Sequence, residues 1–230
     1  HQDLGAELKL DEISPDFPPG AEKVRTVTND CLDMPTEGDG VISVSSVGPS
    51  GKKSDFSNHG LEQNDVSAPG GWFRDFIGTP QNRVPENEIL GPYPTNVALE
   101  FGEVDPVTGA SLSPFVIAEC TSPSIDDCAY YQLIQGTSMA APHAVGVAAL
   151  IVSEYGKEQR RGRGRTMDPA KVERILRNSA TDVACPSAVI SYIAEGRTAA
   201  FDAPCIGTPE RNSIYGDGIV NALAAVERRH

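Results

Sequence analysis

The feature that most constrains this fold is one long run of small and apolar residues in the second half of the chain. From about Ser138 to Tyr155 the sequence predicts a helix, and Gly156 stands where helices commonly end. Pro142 lies in the first turn, where its missing N–H costs little. Residues 144–152 are apolar on every side of this helix, which predicts a segment buried all round.

Strands and further helices are predicted around this segment. The β-branched and aromatic residues at 130–134 predict a strand that runs straight into the helix. Other patterns predict strands over 41–47, 65–68 and 96–101, and helices over 168–180 and 219–228. Asp168 is the expected cap of the first of these two helices. This mixture of strands and helices indicates an α/β domain.

Three stretches lack a regular pattern and are predicted to be loop insertions within one domain spanning residues 1–230. They lie near 1–40, 72–130 and 183–213, and the first is acidic and rich in proline and glycine. Long irregular stretches inside a compact domain are usually functional or decorative insertions. A chain of 230 residues is long enough to bury a sizeable core beneath them.

Charge and hydropathy exclude two classes of partner. The net charge of -13 argues against nucleic acid, because phosphate binding depends on clustered lysine and arginine. No apolar run approaches the roughly 20 residues that span a bilayer, so a membrane partner is not expected either. The acidic balance is typical of a soluble protein that resists self-association.

The five cysteines favour local disulfide bonds. Cys120 and Cys128 flank a short polar loop, and Cys185 and Cys205 flank the predicted insertion near 183–213. Bonds across each loop are the natural expectation, and they favour an oxidising, extracytoplasmic setting and a secreted protein. Cys31 is then left over, either free or paired with a residue outside this chain.

Ser138 stands at the start of the predicted buried helix. A serine there most often caps the helix through its hydroxyl. It could instead act as a nucleophile, because a helix N-terminus presents unpaired N–H groups and partial positive charge. The Ser138 N–H could then stabilise an oxyanion that develops on a substrate carbonyl. Gly136 would leave room for a substrate backbone to approach.

The octapeptide 136–143, Gly-Thr-Ser-Met-Ala-Ala-Pro-His, decides between these interpretations. It resembles the active-site serine signature of the subtilisin-like serine peptidases (subtilases). The resemblance extends in the family's order over 41–48, 54–60, 65–70, 168–180 and 215–222. It implies a serine endopeptidase that hydrolyses peptide bonds in polypeptide substrates. It also implies a three-layer α/β domain with a mostly parallel sheet.

Individual residues can be carried over from this resemblance. Ser138 matches the nucleophile, and Gly136 and Thr137 match its substrate-binding neighbours beside the oxyanion site. Met139 matches the family's methionine next to the serine. His143 matches a histidine that is usual in the signature but is not the base. No cofactor is implied as required; structural calcium is common in the family, but no ligand spacing in this sequence assigns a site.

The base and the orienting acid of the family are not found in this sequence. Neither an Asp-Ser/Thr-Gly nor a His-Gly-Thr-His pattern occurs, and no asparagine is assigned to the oxyanion site. His59 is a candidate substitute base. The alternative is a solvated or structural role in a polar turn. A serine hydroxyl is a weak nucleophile without these groups, so the chain alone is expected to be inactive.

Three hypotheses remain open at this point. In the first, the chain is the C-terminal portion of a peptidase domain whose first strands, base and acid lie before residue 1. In the second, it is a catalytically inactive, subtilase-like binding module. In the third, it is an unrelated secreted interaction domain that carries the motif by coincidence.

Overall fold

The computed structural model describes residues 6–9, 24–27, 34, 36–159, 162 and 164–227. Helices and strands alternate along these residues, which confirms the α/β class. Cys31 lies outside the described residues, as do His1 and His230. None of the described helices is both long and apolar enough to cross a membrane.

Eleven strands and four α-helices are described. The strands are β1 (Ala6–Lys9), β2 (Val24–Val27), β3 (Val44–Val47), β4 (Val66–Pro69), β5 (Ile89–Pro92), β6 (Val116–Cys120), β7 (Cys128–Ile134), β8 (Lys157–Glu158), β9 (Arg165–Thr166), β10 (Val189–Ile190) and β11 (Ala203–Pro204). The helices are α1 (Thr95–Glu100), α2 (Thr137–Tyr155), α3 (Pro169–Asn178) and α4 (Ala222–Glu227).

The centre of the molecule is a parallel strand pair covered by helices. Strand β3 pairs with β4 in parallel, with Val44 opposite Val66 and Val47 opposite Pro69. Helix α2 packs on both strands and on α3 and α4. Their shared core contains the buried side chains of Val66, Val147, Ile151, Ile175, Leu176 and Ala225. The predicted strands at 41–47 and 65–68 and the predicted helices at 138–155 and 168–180 are therefore present.

Helix α2 departs from its prediction in one respect, because it is not buried all round. One side carries the buried residues Ala144, Val147 and Ile151, whereas Val145 is 66% exposed and Leu150 is 47% exposed. The sequence pattern correctly indicated that every face of the helix is apolar. It could not indicate that the described residues cover only one side of the helix.

The region 72–130 was wrongly predicted to be mostly loop with a strand at 96–101. It forms a three-stranded antiparallel sheet in the order β5-β7-β6, and helix α1 replaces the predicted strand. Pro94 precedes α1, and Ala98 on that helix is buried. The helix packs its buried face on Val104, Val116 and Tyr130. This packing outweighs the preference of the β-branched residue in this short segment for a strand.

The region 183–213 folds back onto the core. The Trp72 and Tyr192 rings meet edge to face, with centroids 5.6 Å apart. The Tyr192 hydroxyl donates to the Lys53 carbonyl at 2.9 Å. Lys52 Nζ lies 2.5 Å from a Glu195 carboxylate oxygen. These contacts join the segment to the loop after β3 and to Trp72, which follows β4.

Both predicted local disulfides are present, Cys120–Cys128 and Cys185–Cys205. Two boundary predictions were wrong. The last helix begins at Ala222 rather than 219, because Ile219 forms β-bridges with Ser67 and Thr181. The region 1–40 has more regular structure than expected, since β1 and β2 pair antiparallel.

Candidate active site

Ser138 lies just inside the start of α2, directly after a strand. Strand β7 ends at Ile134, Gly136 occupies the cap position, and the helix begins at Thr137. No side chain caps this helix, so the Ser138 hydroxyl does not act as its cap. The Ser138 side chain is exposed at the surface. The position therefore suits a reacting group better than a capping group.

The backbone at this helix start leaves a donor available beside the hydroxyl. The Gly136 carbonyl accepts from the N–H groups of Met139 at 3.0 Å and Ala140 at 3.2 Å. The N–H of Ser138 precedes these first helical hydrogen bonds and belongs to the positively polarised end of α2. An oxyanion at this end would meet both a hydrogen-bond donor and a favourable dipole.

The loop that carries the serine is fixed to the central strands by backbone contacts. The Gly136 N–H donates to the Gly70 carbonyl at 2.8 Å, and the Gly70 N–H donates to the Val47 carbonyl at 3.0 Å. A Cβ atom on Gly70 would overlap Ser46 Oγ and lie 2.6 Å from the Gly136 carbonyl oxygen. Only glycine at position 70 allows this close approach.

A side chain adds a second attachment just before Gly136. The Gln135 Oε1 accepts from the Phe73 N–H at 2.7 Å. Sequence reasoning assigned no role to Gln135 or Gly70. The signal for Gly70 was the run 65–70, which resembles the family, but only coordinates show that this run touches the serine loop.

His59 is buried, which contradicts a solvated role and leaves the structural role as the alternative to a base. It is 7% exposed and borders a polar cavity of about 90 Å³ that also touches Ser45, Asn64 and Thr137. Burial, reinforced by the positive charge of Lys53, lowers the pKa of His59 to about 3. An imidazole with so low a pKa is a weak proton acceptor at neutral pH.

His143 contacts the backbone of its own helix. Its Nδ1 lies 2.8 Å from the Met139 carbonyl oxygen on the preceding turn of α2. This agrees with the expectation that His143 is not the base.

Three predicted site residues, Gly136, Thr137 and Ser138, thus lie together at one helix start. Among the described residues, no side chain hydrogen-bonds to the Ser138 hydroxyl. The same part of the chain contains no cluster of three metal-ligating side chains.

Comparison with known proteins gives one match to a family. The model of the subtilase family (peptidase S8) matches residues 20–216. No curated protein matches this chain.

Several solved structures are similar to this chain. A lanthipeptide protease shares 26% identity with a TM-score of 0.48, over 84% of this chain and 43% of that one. A protease of Pseudoalteromonas arctica shares 28% identity with a TM-score of 0.43, over 84% of this chain and 37% of that one. The epidermin leader peptide processing serine protease of Staphylococcus aureus shares 19% identity with a TM-score of 0.43, over 86% of this chain and 34% of that one. The chain thus spans less than half the length of these proteins.

Proposed function

We propose that this chain, which belongs to the subtilase family, is the serine-bearing part of a serine endopeptidase. The Ser138 oxygen attacks the scissile carbonyl of a polypeptide substrate while the base takes the hydroxyl proton. The C–N bond then breaks, the amine half leaves with that proton, and water hydrolyses the acyl-enzyme to release the acid half and restore Ser138. Gly136 and Thr137 lie beside the oxyanion and contact the substrate. The observation that carries this proposal is the exposed, non-capping Ser138 at the N-terminus of α2.

The base and the orienting acid come, in this proposal, from a segment before residue 1. Two observations support an external source. The described histidines are poor candidates for the base, because burial lowers the pKa of His59 to about 3 and His143 contacts the Met139 carbonyl. In addition, the helix that carries Ser138 exposes Val145, which lies about two turns beyond Ser138 on the same side of the helix. A segment packed on Val145 would lie near the nucleophile.

Replacement of Ser138 tests the nucleophile directly. Ser138→Ala in the protein that includes the preceding segment should reduce casein hydrolysis by several orders of magnitude, since no other hydroxyl can form the acyl-enzyme. A fluorophosphonate probe should label Ser138, identified by peptide mapping. Ser153→Ala, at an exposed position on the same helix, is the matched control and should keep full activity. Retained turnover in Ser138→Ala would refute the assignment.

A second test uses residues 1–230 without the preceding segment. These residues should hydrolyse casein several orders of magnitude more slowly than the protein with its preceding segment, because no base activates Ser138. The measurement compares turnover at equal protein concentration. Hydrolysis at similar rates by both would show that a base lies within residues 1–230, with His59 the first candidate.

The rival proposal is a catalytically inactive binding module. It is favoured by the lack of a described side chain that hydrogen-bonds to the Ser138 hydroxyl. The two proposals separate in the protein that includes the preceding segment. A binding module would bind peptide without turnover and without fluorophosphonate labelling, whereas a peptidase shows all three.

The remaining features complete the proposal. The segments near 72–130 and 183–213 are insertions in one peptidase domain, and the two disulfides suit a secreted protein. No cofactor is required for the chemistry. Structural calcium remains a proposal without an assigned site.

A further inference from the structure

Gln135 is a polar side chain beside the nucleophile to which the proposed chemistry assigns no role. Its Oε1 accepts from the Phe73 N–H at 2.7 Å. A backbone N–H needs an acceptor, so the amide oxygen and not the amide nitrogen faces Phe73. Gln135 stands directly before Gly136 and three residues before Ser138. Only two residues therefore separate this hydrogen bond from the nucleophile.

Hydrogen bonds attach the serine loop, residues 135–138, to one neighbouring segment at two points. The first is the Gly136 N–H, which donates to the Gly70 carbonyl at 2.8 Å while the Gly136 carbonyl accepts from the first turn of α2. A single hydrogen bond sets a distance but tolerates a range of angles. The second point is the bond from the Phe73 N–H to Gln135. Two points fix the direction of the helix start as well as its distance.

The segment that receives the serine loop, residues 70–73, is itself firmly held. The Gly71 carbonyl accepts from the buried Ser54 hydroxyl at 2.9 Å. The Trp72 N–H donates to the Asn87 carbonyl at 2.9 Å, and the Trp72 side chain is buried. Buried, hydrogen-bonded residues of this kind have little freedom to move. The segment can therefore serve as a fixed support for the serine loop.

Phe73, the partner of Gln135, is held by two further contacts. Its carbonyl accepts from the Arg83 N–H at 2.9 Å, and its ring lies 5.6 Å from the Phe115 ring. Arg83 has a φ of 59°, in the left-handed region that residues other than glycine rarely adopt. Such a conformation costs free energy and persists where the surrounding structure requires it. The position of Phe73 is therefore maintained at a cost in backbone strain.

We infer that Gln135 is a positioning residue, which holds the serine loop in the orientation from which Ser138 attacks. This inference rests on the proposed peptidase function and adds a residue that acts on the chemical step rather than on substrate binding. Attack on a carbonyl needs closely aligned atoms, and a misplacement of about 1 Å can reduce the rate about a hundredfold. Without the Gln135 acceptor, the Gly136–Gly70 bond remains but no longer fixes the direction of the helix start.

Saturation labelling with a fluorophosphonate probe tests this inference in the protein that includes the preceding segment. The labelling rate constant at saturation reports on attack by Ser138, and the half-saturating concentration reports on probe binding. Gln135→Leu has no acceptor atom in its side chain and should lower the rate constant about tenfold. The half-saturating concentration should change by less than about twofold. Gln135→Glu keeps an acceptor oxygen and should restore most of the rate, with each variant measured at the pH of its maximal rate.

Tyr130→Phe is the matched control for a general loss of stability. It removes one side-chain hydrogen bond from β7, the 3.0 Å bond to the Gly109 carbonyl, and should leave the labelling rate constant within about twofold of the wild type. A second measurement needs no reaction. Amide hydrogen exchange of the peptide covering residues 134–140, followed by mass spectrometry, should be about fivefold faster in Gln135→Leu than in the wild type or in Tyr130→Phe.

Four results would overturn the inference. Gln135→Leu could label as fast as the wild type, Gln135→Glu could label as slowly as Gln135→Leu, Tyr130→Phe could show the same tenfold loss as Gln135→Leu, or hydrogen exchange could be equal in the wild type and Gln135→Leu. Failure of the peptidase proposal looks different, because the wild type would then not be labelled at all. Hydrogen exchange would still show in that case whether Gln135 holds the serine loop.

Discussion

Two of the five described sheets differ in how far they are enclosed. The parallel pair β3–β4 is enclosed, and its buried serines bond to one another, as in the 2.5 Å contact between Ser45 Oγ and Ser67 Oγ. The antiparallel sheet β5-β7-β6 is enclosed on one face only. The enclosed pair fixes the serine loop through Gly70, whereas the half-open sheet presents apolar side chains to solvent.

The difference teaches where substitutions can be tolerated. In the enclosed pair, buried polar groups need specific partners and side chains pack closely, so small changes affect the surrounding core. In the half-open sheet, one face can change with little loss of stability because its side chains already contact water.

The largest effect is expected from adding one methyl group to the enclosed pair. Gly70→Ala places a Cβ against Ser46 Oγ and the Gly136 carbonyl, and should lower the free energy of unfolding by about 3 kcal/mol. Gly91→Ala in the half-open sheet is the matched control, because its Cβ would meet nothing within 4 Å. Urea unfolding of both variants makes the comparison. Equal losses would mean that the two sheets are packed alike.

A somewhat smaller effect is expected from acid. In the folded state His59 binds a proton only when the pH approaches or falls below its pKa of about 3. In the unfolded chain the pKa of His59 is about 6.5, so it binds a proton at higher pH. The unfolded state binds more protons in that window, so stability falls as the pH decreases. Between pH 7 and pH 5 the loss due to His59 should be about 2 kcal/mol.

His59→Asn should remove this part of the pH dependence. Urea unfolding at pH 7 and pH 5 measures the difference between the variant and the wild type. The exposed His143, replaced by asparagine in the same way, is the matched control for losing a histidine. If the wild type and His59→Asn lose the same stability on acidification, His59 is not buried as described.

The smallest effect separates the two faces of the half-open sheet. The buried Tyr130 hydroxyl donates to the Gly109 carbonyl at 3.0 Å. Tyr130→Phe leaves that carbonyl without its partner and should lower the free energy of unfolding by about 1 kcal/mol. Tyr131→Phe, on the opposite face of the sheet, should change it by less than about 0.5 kcal/mol. A larger loss at Tyr131 would contradict the description of that face as open.

The sequence predicted the enclosed region well because its signals are local. The helix from Thr137 to Tyr155 follows from apolar composition and Gly156, and the cap at Asp168 follows from residue type, with Asp168 Oδ1 accepting from the Ala170 N–H at 2.9 Å. The disulfides Cys120–Cys128 and Cys185–Cys205 follow from short spacings. Each of these features is decided by residues close together in the chain.

Features that depend on distant contacts were not predictable in the same way. The strand at Ile89–Pro92 contains glycine and proline, and only pairing with Cys128–Ile134 makes it a strand. Gly70 looks like any other glycine until Gly136 is placed beside it. For the candidate site, the octapeptide predicted where the nucleophile lies. It could not predict that His59 would be buried, since its environment is assembled from residues far apart in sequence.

The Cys120–Cys128 bond has a consequence for the proposed peptidase. The loop it closes is exposed at Thr121, Ser122 and Pro123, and exposed polar loops are preferred sites of proteolytic cleavage. A copy nicked there by a neighbouring copy would keep both new ends tethered through the sulfur bridge. The hydrogen bonds between β6 and β7 would hold the strands in register meanwhile. Self-cleavage at this loop would then leave the two pieces joined, and they would separate only after a reductant broke the disulfide.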